Sequence, residues 1–135
     1  MKDKVCLITG ASTGIGFVTA LELAKMGATV VMVNRDRERG ERARAEVASQ
    51  TGNMNIELLL CDLASRKQIR ALAEEFKRRH DRLHVLVNNA AIVPSKRTLT
   101  EDGIEKQLAV NHLAYFQLTG LLLDTLKVSA PARVL

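Results

Sequence analysis

Three glycines near the amino end of the chain have a spacing suited to binding an anion through backbone groups. Gly10, Gly14 and Gly16 lie in the phrase TGASTGIG (Thr9–Gly16), directly after the apolar run Val5–Ile8. This order predicts a strand, a tight turn and then a helix. A helix N-terminus exposes unpaired N–H groups and the positive end of its dipole, which is where a pyrophosphate binds. Glycine accepts positive φ and allows close approach to the backbone, so the phrase predicts a dinucleotide site rather than a plain turn.

The end of the second apolar run indicates which dinucleotide would bind. In dinucleotide folds an acidic residue about 20 positions after the glycines binds the ribose 2′-OH, whereas a nearby arginine accommodates a 2′-phosphate. Here Asn34 stands where that carboxylate would be, and Arg35 follows it. We therefore predict NADP(H) as the cofactor, with NAD(H) as the alternative. The competing interpretation of Arg35 is a solvated surface charge.

The composition indicates one soluble globular domain, residues 1–135. Apolar residues make up 47% of the chain and charged residues 26%, and no segment approaches the roughly 18 apolar residues of a membrane span. The net charge is +5, and most of the excess lies between Arg35 and Arg44, interleaved with glutamates. We interpret this stretch as a solvated helix face and expect no nucleic-acid partner, because aromatic stacking platforms are absent. Two isolated cysteines suggest a reducing, cytoplasmic location.

Short apolar runs alternate with longer helical patterns along the chain. The predicted strands are Lys4–Thr9, Thr29–Asn34, Asn55–Leu60, His84–Asn88 and Arg133–Leu135. The predicted helices run over Ile15–Met26 and Arg37–Gln50, from the N-cap Ser65, and from near Thr100 towards Lys127. Strands that alternate with helices form β–α–β units with a parallel sheet. We therefore predict an α/β fold, a Rossmann-type doubly wound parallel sheet with helices on both faces.

The starts of the third and fourth helices carry capping signals. Ser65 is followed three residues later by Gln68, the pattern of a capping box. Near Thr100, Glu101 and Asp102 supply the acidic residues that suit the positive end of a helix dipole. The stretch Ala90–Leu99 forms the longest predicted loop, at the carboxyl edge of the sheet where ligands bind.

Four phrases in this order give the chain a resemblance to the short-chain dehydrogenases/reductases, and within them to the retinol-dehydrogenase-like branch. The phrases are Thr9–Gly16 (TGASTGIG), Cys61–Leu63 (CDL), Asn88–Ala91 (NNAA) and Val110–Phe116 (VNHLAYF). Their order and spacing match the family over essentially the whole chain. The family usually has glycine where Ala91 stands, and the extra methyl group would narrow the approach of the cofactor there.

The resemblance implies roles at the two ends of the cofactor. The residues implied to surround the pyrophosphate are Gly10, Gly14, Ile15 and Gly16, and those implied near the adenosine ribose are Ser12 and Thr13. Asp62 would accept from the adenine amino group and Leu63 would flank the ring, unless Asp62 is only a charge ahead of the Ser65 cap. Asn88, Asn89 and Ala90 would hold the end of the fourth strand beside the cofactor, unless the asparagines only form a turn.

Asn111 matches the asparagine of the family's catalytic set. The resemblance implies that it helps to hold a water linked to a catalytic lysine, with a tyrosine as general acid/base and a serine that orients the substrate. The alternative is an amide in a helix interior that satisfies backbone groups. The only tyrosine, Tyr115, lies inside the asparagine phrase and is followed four residues later by Thr119, so we assign it to packing.

The serine and the Tyr-x-x-x-Lys of the family do not occur in these 135 residues. We therefore expect the incomplete cofactor-binding half of a longer NADP(H)-dependent oxidoreductase, with a sheet truncated at its fifth strand. Such an enzyme transfers hydride between nicotinamide and a carbonyl or secondary alcohol. The resemblance implies a small apolar carbonyl or alcohol as substrate and allows a homo-oligomer. The alternative is a non-catalytic dinucleotide-binding module, and a basic nucleic-acid binder is a third, weaker interpretation.

Overall fold

The computed structural model describes residues 1–135 as strands and helices in strict alternation up to the fourth strand. The first half contains β1 (Val5–Thr9), α1 (Gly14–Lys25), β2 (Thr29–Asn34), α2 (Arg37–Thr51) and β3 (Ile56–Leu60). The second half contains α3 (Arg66–Arg79), β4 (Val85–Val87), α4 (Lys106–Leu108), a π-helical segment (Ala109–Leu113), α5 (Ala114–Val128) and β5 (Arg133–Val134). The predicted strands all form, with ends within two residues of those expected.

The five strands form one parallel sheet in the order β3-β2-β1-β4-β5. Leu7 of β1 lies at the centre, opposite Val31 on one side and Leu86 on the other. After β3 the chain crosses to the other side of β1 and adds β4 there, so the order of the strands reverses between β1 and β4. Ligands bind at such a point, in the crevice outside the carboxyl ends of the strands. The predicted doubly wound parallel sheet is confirmed.

The sheet is covered by helices on both faces, and each face has its own apolar core. Helices α3 and α5 pack on one face, where Phe76 and Leu122 are fully buried. Helices α1 and α2 pack on the other, where Ala20 and Val47 are fully buried. Strands buried on both faces are continuous apolar runs, which is why β1 and β2 were recognisable in the sequence.

The last long helical stretch begins later than the sequence predicted. A helix from near Thr100 does not form, because the Thr100 hydroxyl accepts the N–H groups of Asp102 and Ile104, and Gly103 has φ +73°. This closes a turn, and the carboxylate of Glu105 then caps α4 by accepting the N–H groups of its second and third residues. The prediction of a helix start near Thr100 was wrong.

The two acidic residues of that turn contact a different helix. The Ser65 hydroxyl donates to the Glu101 carboxylate, and the N–H of Arg66 donates to Asp102 at 3.1 Å. Both carboxylates therefore lie at the positive end of α3. The predicted cap of α3 is present, since Ser65 accepts the N–H of Gln68 at 3.3 Å, while the Gln68 side chain accepts from the N–H of Asp62.

None of the helices combines the length and the apolar character needed to cross a lipid bilayer.

Removing the hydroxyl of Ser129 is expected to destabilise the fold. Ser129 is buried, accepts the N–H of Leu83 at 2.8 Å and donates to the carbonyl of Thr125 at 2.6 Å. Ser129→Ala leaves the Leu83 N–H without a partner in the interior, which costs about 1–3 kcal/mol of unfolding free energy. Urea denaturation measures the loss. Ser95→Ala, in an exposed loop, is the matched control and should change stability little; equal effects in the two variants would contradict the assignment.

Candidate functional site

A cleft of about 240 Å³ opens at the carboxyl edge of the sheet, beside the reversal point between β1 and β4. The predicted site residues that line it are Gly10, Ser12, Asn34, Arg35, Asp62, Leu63 and Ala90. Thr13, Gly14 and Ile15 are exposed next to it, and Gly16 is buried beneath the turn. The structure thus brings together residues that are up to 80 positions apart in the chain.

The glycine turn is fixed by hydrogen bonds to the end of β4. The buried Thr9 hydroxyl accepts the N–H groups of Asn89 and Ala90, each at 3.0 Å. The Asn89 amide in turn donates to the carbonyls of Thr9 and Gly10, at 2.9 and 3.1 Å. These reciprocal bonds set the spacing between β1 and β4 where the turn begins.

The three glycines of the turn have different surroundings. A Cβ on Gly10 would lie 2.8 Å from the Cα of Ala90, and one on Gly16 would lie 2.4 Å from the carbonyl oxygen of Gly10. Gly14 has φ +56°, yet nothing lies within 4 Å of the position of its Cβ. Gly10 and Gly16 are therefore required by packing inside the protein, whereas the space beside Gly14 is open.

The N-terminus of α1 has no side-chain partner. Thr13 is the N-cap residue but makes no capping hydrogen bond, and the first turn contains no acidic residue. In contrast, Asp36 caps α2 and Ser65 caps α3. The free N–H groups and the dipole of α1 thus remain available at the cleft, where they favour an anion.

The wall formed by the end of β2 is rich in hydrogen-bond donors. Asn34 is buried, and its amide nitrogen has no partner in the chain. Arg35 is exposed and forms no ion pair, although arginines further along α2 do, such as Arg42 with Glu38 at 2.8 Å. Arg39, in the first turn of α2, also lines the cleft. The last residue of β2 is thus an asparagine and not an acidic residue, while Asp36, which also lines the cleft, accepts the N–H of Arg39 at 2.8 Å.

The wall formed by the end of β3 combines a carboxylate with apolar side chains. Asp62 accepts the N–H of Ala64 at 2.9 Å through one oxygen of its carboxylate. Leu63 is 8% exposed and Cys61 is buried, and both line the cleft. An apolar floor with one acceptor at its edge suits a flat, amino-bearing ring.

Side chains of the π-helical segment and of α5 hold the segment that follows β4 through hydrogen bonds. Asn111 accepts the N–H of Ile92 at 2.9 Å and donates to its carbonyl at 2.8 Å, so both the oxygen and the nitrogen of its side-chain amide are bonded to the backbone of Ile92. The Tyr115 hydroxyl donates to the carbonyl of Ala90, and burial raises the pKa of this phenol. Tyr115 thus positions the cleft wall through a specific bond in addition to packing. π-helical turns often occur at functional sites.

Asn88 and Ala91 occupy different environments. The Asn88 side chain approaches Thr119 of α5 at 3.5 Å and its N–H donates to the carbonyl of Leu135, so it joins β4 to its neighbours outside the cleft. Ala91 lines the cleft with a negative φ. The backbone there therefore does not require the glycine usual in the family, and only its methyl group enters the space.

Two cations that line the cleft were not singled out in the sequence. Arg39 lies three residues after the N-cap Asp36, and a closer reading of the start of α2 would have placed it on the wall beside Arg35. Lys106 lines the opposite side. No local signal pointed to it, because the sequence placed the start of its helix too early.

The fold and the cleft define a nucleotide-binding protein of the Rossmann type. A family profile described as short chain dehydrogenase matches residues 4–135. The chain belongs to the short-chain dehydrogenase family, and the predicted family resemblance is confirmed.

Curated relatives of the chain include retinol dehydrogenases. It is 49% identical over 134 residues to retinol dehydrogenase 12 of Homo sapiens, covering 99% of this chain and 42% of that protein. It is 46% identical over 134 residues to retinol dehydrogenase 11 of Mus musculus, with the same coverage of 99% and 42%. The chain therefore spans less than half the length of these relatives.

Solved structures with the same fold include two complexes with NADP. A metagenomic short-chain oxidoreductase in complex with NADP matches with a TM-score of 0.86 and 29% identity, over 98% of this chain and 61% of that one. The Pseudomonas aeruginosa RhlG/NADP complex matches with a TM-score of 0.84 and 29% identity, over 99% and 54%. Together with the family, these matches support a nicotinamide dinucleotide as the ligand of the cleft.

Alanine at two of the glycines should affect stability unequally. Gly16→Ala places a methyl group against the Gly10 carbonyl and should cost about 3 kcal/mol, the upper range for overpacking. Gly14→Ala meets open space and should cost only the about 1–2 kcal/mol of its left-handed backbone. Denaturant unfolding of both variants tests this ranking. A loss at Gly14 equal to or greater than that at Gly16 would show that the turn is packed differently.

The two cysteines should be unreactive in the folded protein. Burial raises the pKa of Cys6 to about 11 and that of Cys61 to about 12, with the nearby Asp62 adding to the latter. The reactive thiolate therefore forms only at high pH, and both thiols remain protonated at about pH 8. We expect no labelling by iodoacetamide until the chain is unfolded in guanidinium, as followed by mass spectrometry. Rapid labelling of either residue without denaturant would contradict this.

Proposed function

We propose that the cleft binds NADP(H) with its pyrophosphate at the N-terminus of α1. The observation that carries this proposal is the uncapped start of α1 in the same cleft as Asn34, which ends β2 in place of an acidic residue. The free N–H groups of Gly14, Ile15 and Gly16 suit the two phosphates. Ser12 and Thr13 then lie beside the adenosine ribose.

The preference for NADP(H) over NAD(H) is assigned to Arg35. A 2′-phosphate beside Asn34 meets an unpaired amide donor and a free guanidinium, whereas an acidic residue would repel it. A hydrogen bond to a charged group contributes about 1.5–3 kcal/mol. This corresponds to a factor of about ten to a hundred in affinity. Similarity to NADP complexes of other short-chain oxidoreductases supports the same assignment.

The other walls are assigned to the adenine and to the segment that adjoins it. Asp62 accepts from the adenine amino group, and Leu63 packs against the ring. Asn89 acts by fixing the glycine turn, and Ala90 contributes backbone to the cleft wall. Asn88 and Asn111 act as positioning residues, because their side chains contact Thr119 and the backbone of Ile92 rather than the cleft.

We further propose that the protein is an oxidoreductase acting on an apolar carbonyl compound or secondary alcohol. The nicotinamide supplies the hydride chemistry when it is bound, and the protein orients it. Similarity to retinol dehydrogenases favours an apolar substrate. Asn111 belongs by its position to the family's catalytic set, and here it sets the path of the chain at Ile92.

Calorimetric titration of NADPH and NADH tests the cofactor assignment. The protein should bind NADPH about tenfold to a hundredfold more tightly than NADH. Arg35→Ala should reduce this preference about tenfold or more and leave NADH binding unchanged, because a contact to the 2′-phosphate is lost. Arg42→Ala removes an exposed, paired arginine of the same helix and should keep the preference. An Arg35→Ala variant with an undiminished preference for NADPH would refute the assignment.

Measuring the absorbance of NADPH in the presence of an apolar aldehyde distinguishes an enzyme from a non-catalytic dinucleotide-binding module. Aldehyde-dependent loss of absorbance with the full-length protein supports hydride transfer. Tight binding of NADPH without any turnover across aldehydes and ketones would instead support a non-catalytic dinucleotide-binding module.

A further inference from the structure

A second cation approaches the cleft from the side opposite Arg35. Arg35 follows β2, whereas Lys106 begins α4 after the long connection from β4. Both residues line the cleft described above, which we call the main cleft. Both also line a second, shallower cleft beside it, which is bordered by residues 92–98. Two positive side chains from distant parts of the sequence thus converge on one continuous space.

Lys106 is half-buried but has no counter-charge. Its side chain takes part in none of the chain's ion pairs or hydrogen bonds, and only its backbone is bonded, for example through its N–H to the carbonyl of Thr98 at 2.9 Å. The carboxylates of the same segment are engaged elsewhere: Glu101 with the Ser65 hydroxyl and Glu105 with the N–H groups of Gln107 and Leu108. The Lys106 ammonium therefore has no partner within the chain and is free to bind an anion from outside it.

The position of Lys106 in the chain places it beside the ligand that the main cleft would bind. Val110, four residues later in the adjoining π-helical segment, also lines the main cleft. The shallower cleft is lined by Arg35, Lys96 and Lys106 and by no carboxylate. The charged residues of this cleft are therefore all cations, whereas the two carboxylates of the main cleft, Asp36 and Asp62, each accept a backbone N–H group.

We propose that Lys106 is a specificity-determining residue that binds the phosphate on the adenosine ribose from the wall opposite Arg35. This rests on the proposed function, since it names a second contact to the same cofactor. Arg35 offers a planar fork of donors, and Lys106 adds a mobile point charge. The phosphate then lies between two cations instead of being held from one side.

Two small probes isolate this contact in the otherwise unchanged protein. 2′,5′-ADP and 5′-AMP differ only in the 2′-phosphate, and calorimetry gives the affinity for each. Lys106→Met keeps the length and apolar character of the stem but removes the charge. It should weaken 2′,5′-ADP about tenfold and leave 5′-AMP unchanged, and Lys106→Arg should retain most of the affinity. Lys127→Met removes the same charge at the exposed C-terminal end of α5, by the opposite edge of the sheet, and should change neither.

Three outcomes would overturn the proposal. Equal weakening of both probes by Lys106→Met would mean that Lys106 supports the adenine or the fold. An unchanged affinity for 2′,5′-ADP in Lys106→Met, alongside a loss in Arg35→Ala, would remove Lys106 and leave the proposed function intact. Failure of the unmodified protein to bind either probe would overturn the proposed function and this inference with it.

Discussion

The hydrogen bonds between Thr9 and Asn89 hold the glycine turn in the position from which α1 presents its free end to the cleft. Thr9 is the last residue of β1, and Asn89 follows β4, its neighbour in the sheet. Because the bonds run in both directions, neither segment can shift without leaving buried donors or acceptors unsatisfied. The close approach of Gly10 to Ala90 and of Gly16 to the Gly10 carbonyl adds a steric limit.

The remaining parts of the site depend on the order of the strands. Since β2 and β3 lie on one side of β1, the residues that follow them, Arg35 and Asp62, line the part of the cleft that we propose for the adenosine. β4 lies on the other side, and its exit segment is held by Asn111 and Tyr115. Each wall of the cleft therefore carries the polar groups that follow one particular strand of the parallel sheet, and the walls differ in the chemistry of those groups.

Most of the fold was predictable because the strands are buried on both faces. The run Thr29–Asn34 matches β2 residue for residue, and the Ser65 cap marks the start of α3. The start of α4 was not predictable from local signals. Glu101 and Asp102 satisfy the pattern of a helix start, but they contact the N-terminus of α3 instead, a tertiary interaction that overrides local preference.

The residues of the site likewise divide into those whose positions could be predicted from the sequence and those whose contacts could not. The glycine turn, Asn34, Arg35 and Asp62 lie at or just after the ends of strands, so their place at the carboxyl edge follows from the predicted order of elements. The hydrogen bond from Tyr115 to Ala90 joins segments that are about twenty residues apart in the chain. The bonds that Asn111 makes from the π-helical segment do the same. No spacing rule in the sequence encodes such contacts, and they emerge only once α5 packs against the sheet.

The central claim is that the first amides of α1 receive the phosphates of the dinucleotide. It is tested most directly by nuclear magnetic resonance of the 15N-labelled protein during titration with NADPH. The account predicts that the largest amide shifts occur at Gly14, Ile15 and Gly16, because their N–H groups gain a charged acceptor. Saturation with NADPH that leaves these three amide signals in place would contradict it.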